Sequence, residues 1–375
     1  MYRPSATYEF AQIDEPLEIE PTVFRSSVFG QDEPYSDALI NSLSFSKGAF
    51  KPETILYVEG RNYFVDLQDR ARGVYDTLQV SGAGYIQPSQ ARNAHNGLII
   101  TTAATGVQVI QPPQPYHDGS ALYAHITDYY DPSEESLLRK VVDHSPMGGY
   151  AHDLAIRKWV HMRKAERLFA DSNVLVPLCQ GYVDFPQVVD QLGESQRGII
   201  SLVPNKGNRL NRDLTPLLGY VDSPSKAGRY YSDIVAKKMY ATGLAAATVH
   251  ASGLVHNQLT AGNVDPSFTR QDGSDVVFVA DWETPTEIIP EDDLQMRALD
   301  VMKTIRSLTS IAIRAAEMGN AGFWSGLAAQ QAIDILCGYN NIESFDFKED
   351  TIERISQVID GGSRAGVMAT ASFLA

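Results

Sequence analysis

The feature that most constrains the fold is a change of hydrophobic period along the 375-residue chain. Before Pro204 the apolar residues fall in short runs typical of β-strands, interrupted by one segment with helical spacing at residues 153–169. Beyond Pro204 long helical segments follow, chiefly residues 232–253 and 293–319. A strand-rich part followed by a helical part predicts an α+β chain with two lobes.

The order of these segments predicts the domains. Residues 1–50 are polar, acidic and proline-containing, and we expect an arm that lies on the body or stays mobile. A hairpin is predicted at residues 54–68, because two alternating apolar runs flank a Gly-Arg-Asn turn. Further strands are predicted at residues 77–86, 98–111, 121–127, 173–178 and 197–204. The predicted domains are an arm at 1–50, a strand-rich lobe at 51–204 and a helical lobe at 205–375.

Composition excludes several classes of protein. The net charge of −15 argues against nucleic acid as the main partner, because phosphate binding needs a basic face. Cys179 and Cys337 lack the spacing of a metal site, which argues against a disulfide framework and a structural zinc site. No apolar run approaches the roughly 18 residues of a membrane span, and no secretory signal is visible. We therefore expect a cytoplasmic protein without a membrane span.

The most specific stretch is VHASGLVHNQLTAGNV at residues 249–264, followed by DVVFVADWET at 275–284. A metal ion that bridges nucleotide phosphates needs oxygen ligands, typically a carboxylate and an amide oxygen on converging segments. Asp281 follows a very apolar run, where a charge is expected at an opening because burying it unpaired is costly. Asn263 and Asp281 are therefore candidate metal ligands. The alternative is that Asp281 ends a strand and Asn263 caps a turn.

These two segments resemble the protein kinase superfamily, in which a helix leads to an H-R-D-L-x-x-x-N loop and then to a strand ending in D-F-G. His256 matches the histidine of that loop, Asn263 its metal-binding asparagine, and Asp281 the metal-binding aspartate. Asp300, within the predicted helix 293–319, resembles the family aspartate that holds this loop by hydrogen bonds to its backbone. The resemblance implies a bilobal kinase-like fold that binds ATP or another nucleotide with Mg²⁺ or Mn²⁺.

The chain departs from the kinase pattern at the catalytic loop. Gln258 stands where the family has its aspartate, and a neutral amide cannot accept the substrate proton, although it can position a group. Asn257 replaces the neighbouring arginine, so His256 and Gln258 form a degenerate catalytic pair. In place of D-F-G stands Asp281-Trp282-Glu283, without the pivoting glycine. Glu283 could add a carboxylate, while Trp282 could fill the nucleotide pocket or pack against helix 153–169.

The lysine that kinases place on the α- and β-phosphates has no clear match, since no lysine lies between Lys51 and Lys140. Arg92 or Lys140 could take its place. Gly82 and Gly84 lie between strand-like runs, as in a loop that covers phosphates, although an ordinary tight turn fits equally well.

Glu166 occupies the place of the kinase helix glutamate that pairs with the strand lysine, with a solvent-facing charge as the alternative. Gly82, Gly84, Arg92 and Glu166 are thus the predicted nucleotide-binding residues of the first lobe.

The resemblance and the departures predict a pseudokinase, a regulatory or binding module whose cleft holds a nucleotide without transferring a group. The alternative is an active atypical enzyme that transfers AMP or a phosphoryl group from ATP to a protein. A faint similarity to AMP-transferring relatives favours it, namely the loop 82–84, Arg92 and a D-G-x-A segment at 118–121. A third possibility is an interaction protein with an empty cleft. The expected partner is another protein, docked on the acidic arm and on long loops around residues 111–146.

Overall fold

The structure is a computed structural model. It describes residues 22–25, 55–59, 62–66, 74–82, 85–86, 110–111, 122–131, 136–146, 150, 152–189, 193–204, 209–270, 273–344 and 349–375. Gly84, Arg92, the segment 118–121 and most of the predicted arm and of the predicted strand 98–111 lie outside these residues.

The chain divides into two compact units that mix helices and strands, as the α+β prediction states. The first unit comprises Met1–His125, Val141–Val160 and Leu178–Lys206, and the second comprises Ile126–Lys140, His161–Pro177 and Gly207–Ala375. The kinase-like arrangement of two lobes and the domain boundaries given above stay predictions.

The first unit is built on a six-stranded antiparallel sheet in the order β1-β10-β11-β4-β3-β2. Its strands are β1 (Thr22–Arg25), β2 (Ile55–Glu59), β3 (Asn62–Asp66), β4 (Tyr75–Ser81), β10 (Leu178–Val189) and β11 (Ser195–Pro204). The predicted hairpin is confirmed as the antiparallel pair β2–β3. Consecutive residues of the central strands β4 and β11 are buried, and because successive side chains point to opposite faces of a strand, both faces of the sheet are covered there. The buried apolar side chains include Phe64, Leu78, Val80, Ile199 and Ile200.

Four further strands form two pairs in the N-terminal part. They are β5 (Tyr85–Ile86), paired with β6 (Ile110–Gln111), and β7 (Leu122–Asp131), which forms a two-stranded sheet with β8 (Ser136–Pro146). The prediction of long loops around residues 111–146 is therefore wrong for most of this segment. The β-branched and apolar run of SLLRKVV favours an extended strand over an open loop.

Helix α1 (His152–Leu168) is the predicted helix 153–169, shifted by one residue. Asp153 in its first turn and Arg167 in its last turn oppose the partial charges of the helix ends. Leu154 and Met162 are buried, as their helical spacing predicts. The short strand β9 (Val174–Leu175) follows.

The second unit is largely helical. Its helices are α2 (Leu210–Leu214), a 3₁₀ turn (Thr215–Tyr220), α3 (Pro224–Tyr230), a π-helical turn (Tyr231–Val235), α4 (Ala236–Ala251), a 3₁₀ turn (Pro290–Asp292), α5 (Asp293–Met318), α6 (Ala321–Asn340), α7 (Glu349–Asp360) and α8 (Ser363–Leu374). Helices α4 and α6 touch through their backbones. A Cβ on Gly243 would lie 1.9 Å from the Ile335 carbonyl oxygen, and one on Gly338 would lie 1.9 Å from that of Tyr240.

Among the helices of the described ranges, none combines the length and apolarity that a bilayer crossing requires.

Two small sheets of the second unit position the candidate site. Strand β12 (Leu254–Val255) pairs with β15 (Thr286–Glu287). Strands β13 (Val264–Thr269) and β14 (Asp275–Val279) form an antiparallel hairpin, to which β9 adds in parallel. The loop between β12 and β13 contains the degenerate catalytic motif, and the segment after β14 contains the Asp-Trp-Glu motif.

Candidate functional site

Strand register brings the two predicted metal ligands together. Val264 pairs with Val279 in the β13–β14 hairpin, and the Ala280 amide donates to the Asn263 carbonyl oxygen at 2.8 Å. The side chains on either side of this pair therefore converge, and Asn263 Nδ2 lies 3.4 Å from Asp281 Oδ2. A single local hairpin thus places the amide beside the carboxylate, although metal binding by this pair stays a prediction.

Two residues of the site, Asn257 and Asp281, have a left-handed backbone conformation. Asp281 has a φ of 64° and Asn257 a φ of 68°. A left-handed conformation costs an L-residue about 1–2 kcal/mol, and asparagine and aspartate tolerate it best. Within the described ranges, the other non-glycine residues with positive φ, Asn320 and Asn341, flank helix α6. The strain at Asn257 and Asp281 is therefore not explained by helix capping, and strain of this kind is common at functional sites.

Asp300 anchors the loop from helix α5, as predicted. Its Oδ2 accepts the backbone N–H of His256 at 3.0 Å and also contacts Nε2 of His250 at 3.0 Å. The other ring nitrogen of His250 lies 2.9 Å from the hydroxyl of Tyr339. Burial alone would raise the pKa of Asp300, but the hydrogen bond from His250 and the nearby histidines hold that pKa below its usual value. Asp300 is therefore an ionised anchor of the loop at neutral pH.

His256 is part of the packed support of this loop. Its ring is fully buried, and it meets the Trp282 ring edge-on at 4.7 Å. Its Nδ1 accepts the backbone N–H of Gln258 at 3.3 Å. Burial lowers the pKa of His256 to about 4, against the opposing influence of Asp300. The ring is therefore neutral at pH 7, and its predicted catalytic role stays a prediction.

Gln258 occupies the place of the missing base, and its amide is held in position. Its Nε2 donates to Thr284 Oγ1 at 3.4 Å, and its backbone carbonyl accepts Asn263 Nδ2 at 3.0 Å. Because the side chain is a neutral amide, it offers no carboxylate to remove a proton from an acceptor hydroxyl. The loop is built to hold Asn263 in place.

The structure favours the packing alternative for Trp282. Its ring is fully buried, lies 5.5 Å from Phe169 just beyond α1, and donates its Nε1–H to the Val279 carbonyl at 2.9 Å. Glu283 is also buried. In the part of the chain that the structure describes, no three His, Cys, Asp or Glu side chains cluster as a metal site would require.

Arg209 belongs to the same site, although sequence reasoning missed it. Its Nη1 donates to Asn263 Oδ1 at 3.3 Å and to the carbonyl oxygen of Gly262. Arg209 immediately precedes α2 and is 54 residues from Asn263 along the chain. No local spacing connects the two segments, so only the tertiary structure reveals the contact.

In the first unit, Gly82 and Lys158 meet around Tyr150. Gly82 has a φ of +75°, and a Cβ there would lie 2.3 Å from the Tyr150 ring, so both backbone and packing require glycine. The buried ammonium of Lys158 donates to the Tyr150 hydroxyl at 2.8 Å and lies 4.9 Å from the ring centroid. Lys158 lies on α1 and was not among the predicted nucleotide-binding residues.

The remaining predicted nucleotide-binding residues stay predictions. Glu166 is half-buried and pairs with Arg163 of its own helix at 2.8 Å. Lys140 lies within β8, and its side chain is outside the described part of the structure.

Comparison with known proteins assigns no family. No family model matches the chain, and no curated protein matches it. Similar solved structures include a glucosamine kinase in complex with glucosamine, ADP and inorganic phosphate, at 12% identity and a TM-score of 0.31, covering 85% of this chain and 94% of that chain. They also include the ROP18 kinase domain in complex with AMP-PNP and sucrose, at 12% identity and a TM-score of 0.28, covering 72% and 79%. Both neighbours are kinases, but TM-scores this low support no conclusion about the fold or the function of this chain.

Proposed function

We propose that this chain is a kinase-like nucleotide-binding protein that acts as a regulatory or binding module. The observation that carries the proposal is the convergence of Asn263 and Asp281, 3.4 Å apart, beside a loop that has Gln258 in the position of the base. The resemblance of the two motifs to those of kinases supports the identity of the ligand, a nucleoside triphosphate.

The chemistry of the site suits a phosphate group accompanied by one hard cation. The Asp281 carboxylate is half-buried, and carboxylate oxygens are the ligands that Mg²⁺ and Mn²⁺ prefer. A divalent ion bound there would neutralise phosphate charge. The Asn263 amide does not fit a metal in its present hydrogen bonds, because its oxygen accepts from Arg209 and its nitrogen faces Asp281. Asp281 is therefore the residue that would hold an ion.

The same residues argue against phosphoryl transfer to a hydroxyl. Gln258 cannot accept the proton of an attacking hydroxyl. Trp282, where kinases have a phenylalanine before a pivoting glycine, is fully buried and hydrogen-bonded to Val279. A segment held in this way has little freedom to change conformation. We therefore propose binding without transfer.

Ligand-induced stabilisation tests the proposal. ATP at a hundred times its dissociation constant should stabilise the protein by about 2.7 kcal/mol, which raises the melting temperature by several degrees. We expect this shift in the presence of Mg²⁺ or Mn²⁺, and we expect Asp281→Asn to abolish it. Asparagine tolerates the left-handed backbone at this position, so the variant removes the charge without adding strain.

Asp275→Asn is the matched control, because Asp275 is an exposed carboxylate on the same hairpin, and it should keep the shift. Absence of any shift with either metal would refute nucleotide binding. Transfer of label from α- or γ-labelled ATP to a protein would refute the binding-module proposal and support the AMP- or phosphoryl-transferring alternative.

A further inference from the structure

The Arg209 guanidinium is held by oxygens of the kind that bind hard cations. Its Nη1 donates to the Gly262 carbonyl and to the Asn263 amide oxygen, which lie on consecutive residues. Backbone carbonyl and amide oxygens are typical ligands of Mg²⁺, Mn²⁺ and Ca²⁺. A positive charge is therefore already present where an ion bound to Asn263 would need to lie.

The hydrogen bonds of Asn263 agree with this orientation. Its Nδ2 donates to the Gln258 carbonyl at 3.0 Å and to Asp281 Oδ2 at 3.4 Å, while its Oδ1 faces Arg209. Turning the amide over would place its oxygen against two other oxygens and its N–H groups against a guanidinium. Asn263 therefore cannot present its oxygen to an ion at Asp281 without losing these bonds.

The segment that directly follows Arg209 is tied to the same loop. The Asn211 amide at the start of α2 donates to the Ala261 carbonyl at 2.9 Å, and the Ala261 amide donates to Ser307 Oγ of α5 at 3.1 Å. Arg209 itself has an extended backbone, with φ −67° and ψ 151°. The guanidinium is thus positioned by two elements, and fewer conformations are lost when it binds an anion.

The rest of the guanidinium remains available to a ligand. Across the described ranges, Nε and Nη2 of Arg209 donate to no protein oxygen, and the side chain is half-buried. A guanidinium binds phosphate oxygens through paired N–H groups and stays charged at any physiological pH.

We propose that Arg209 takes the place of the cation at Asn263, so that the site binds phosphate with this guanidinium and one divalent ion, where kinases use two ions. The phosphate as ligand rests on the proposed function. The exclusion of an ion from Asn263 does not, and it is tested without a nucleotide.

The test is a Mn²⁺ titration of the whole chain without nucleotide, in which the electron paramagnetic resonance signal reports free Mn²⁺. We expect Arg209→Met to bind Mn²⁺ at least tenfold more tightly than the wild type, because the Gly262 carbonyl and Asn263 Oδ1 lose the guanidinium that occupies them. The gain should disappear in the double variant Arg209→Met/Asn263→Ala. Arg212→Met is the matched control, since Arg212 is an exposed arginine of the helix α2 that Arg209 precedes, and it should bind Mn²⁺ like the wild type.

Equal Mn²⁺ affinity of Arg209→Met and the wild type would overturn the inference, as would two tight Mn²⁺ sites in the wild type. If Arg209→Met does not fold, Arg209→Gln provides the same comparison. ATP titrations at several Mn²⁺ concentrations then separate the two proposals. Uptake of one ion per ATP by the wild type supports both, and uptake of two overturns the role of Arg209. A wild type that binds no ATP refutes the proposed function, while the Mn²⁺ comparison still decides whether Arg209 excludes an ion.

Discussion

Asp265 is a buried carboxylate two residues after Asn263, and the cost of ionising it tests quantitatively how well the structure beside the candidate site excludes water. It is 2% exposed, and its Oδ1 accepts the backbone N–H of Ser267 at 3.1 Å. Burial raises the pKa of Asp265 from 3.8 to about 6, against the lowering influence of the Ser267 hydrogen bonds and Lys238. Asp265 is therefore mostly ionised in the folded protein at pH 7, but burying this charge lowers the stability of the folded state.

The magnitude follows from proton linkage. Between pH 3.8 and about 6 the folded chain retains a proton on Asp265 that the unfolded chain releases. At about 1.4 kcal/mol per pH unit, ionisation of this carboxyl destabilises the folded state by about 3 kcal/mol above pH 6 and not at all below pH 4. Asp265→Asn keeps an acceptor for Ser267 and loses the attraction of Lys238. We expect it to raise the free energy of unfolding by about 2 kcal/mol at pH 7, and the gain should vanish near pH 4.

The assay is urea unfolding between pH 4 and 7.5, followed by tryptophan fluorescence. Trp282 and Trp324, both fully buried, report on the second unit. Asp275→Asn serves as the control, because Asp275 is exposed on the same hairpin and its substitution should change stability by no more than about 0.5 kcal/mol. An Asp265→Asn variant that is no more stable than the wild type at pH 7, or whose gain does not shrink on acidification, would refute the reasoning.

Two further predictions concern the protonation of a buried histidine and the close packing of two helices. His256→Asn keeps an acceptor for the Gln258 amide but cannot take up a proton. The pKa of His256 falls from 6.5 to about 4 on folding. The free energy of unfolding of the wild type should therefore fall by about 3 kcal/mol between pH 6.5 and 4, and that of the variant should not, as measured by the same urea titration. Equal losses in both chains would contradict this. Gly243→Ala would place a methyl group 1.9 Å from the Ile335 carbonyl oxygen and should destabilise the protein by about 1–3 kcal/mol in thermal unfolding. Gly326→Ala is the control, because Gly326 lies on an exposed face of α6 and a Cβ there would meet nothing within 4 Å. This variant should be neutral or stabilising by up to about 1 kcal/mol. A similar loss of stability in both variants would show that α4 and α6 do not pack this closely.

Some of this protein could be predicted from its sequence, because periodicity and motif order are encoded locally. The hydrophobic period of 3.6 predicted α1 and α5 within a residue or two, and alternation around a turn predicted the β2–β3 hairpin. The order of loop and strand also predicted that Asn263 and Asp281 converge. A hairpin a few residues long brings its two ends together, whatever the rest of the chain does.

The long-range contacts of the site could not be predicted from the sequence and depend on the tertiary structure. Arg209 reaches Asn263 from 54 residues away, and Trp282 packs against Phe169 from another segment. The pKa values of His256 and Asp265 depend on how completely distant helices and strands exclude water from them. A local sequence pattern can predict which residues belong to the site. The contacts of these residues and their burial from water form only when segments far apart in sequence pack together.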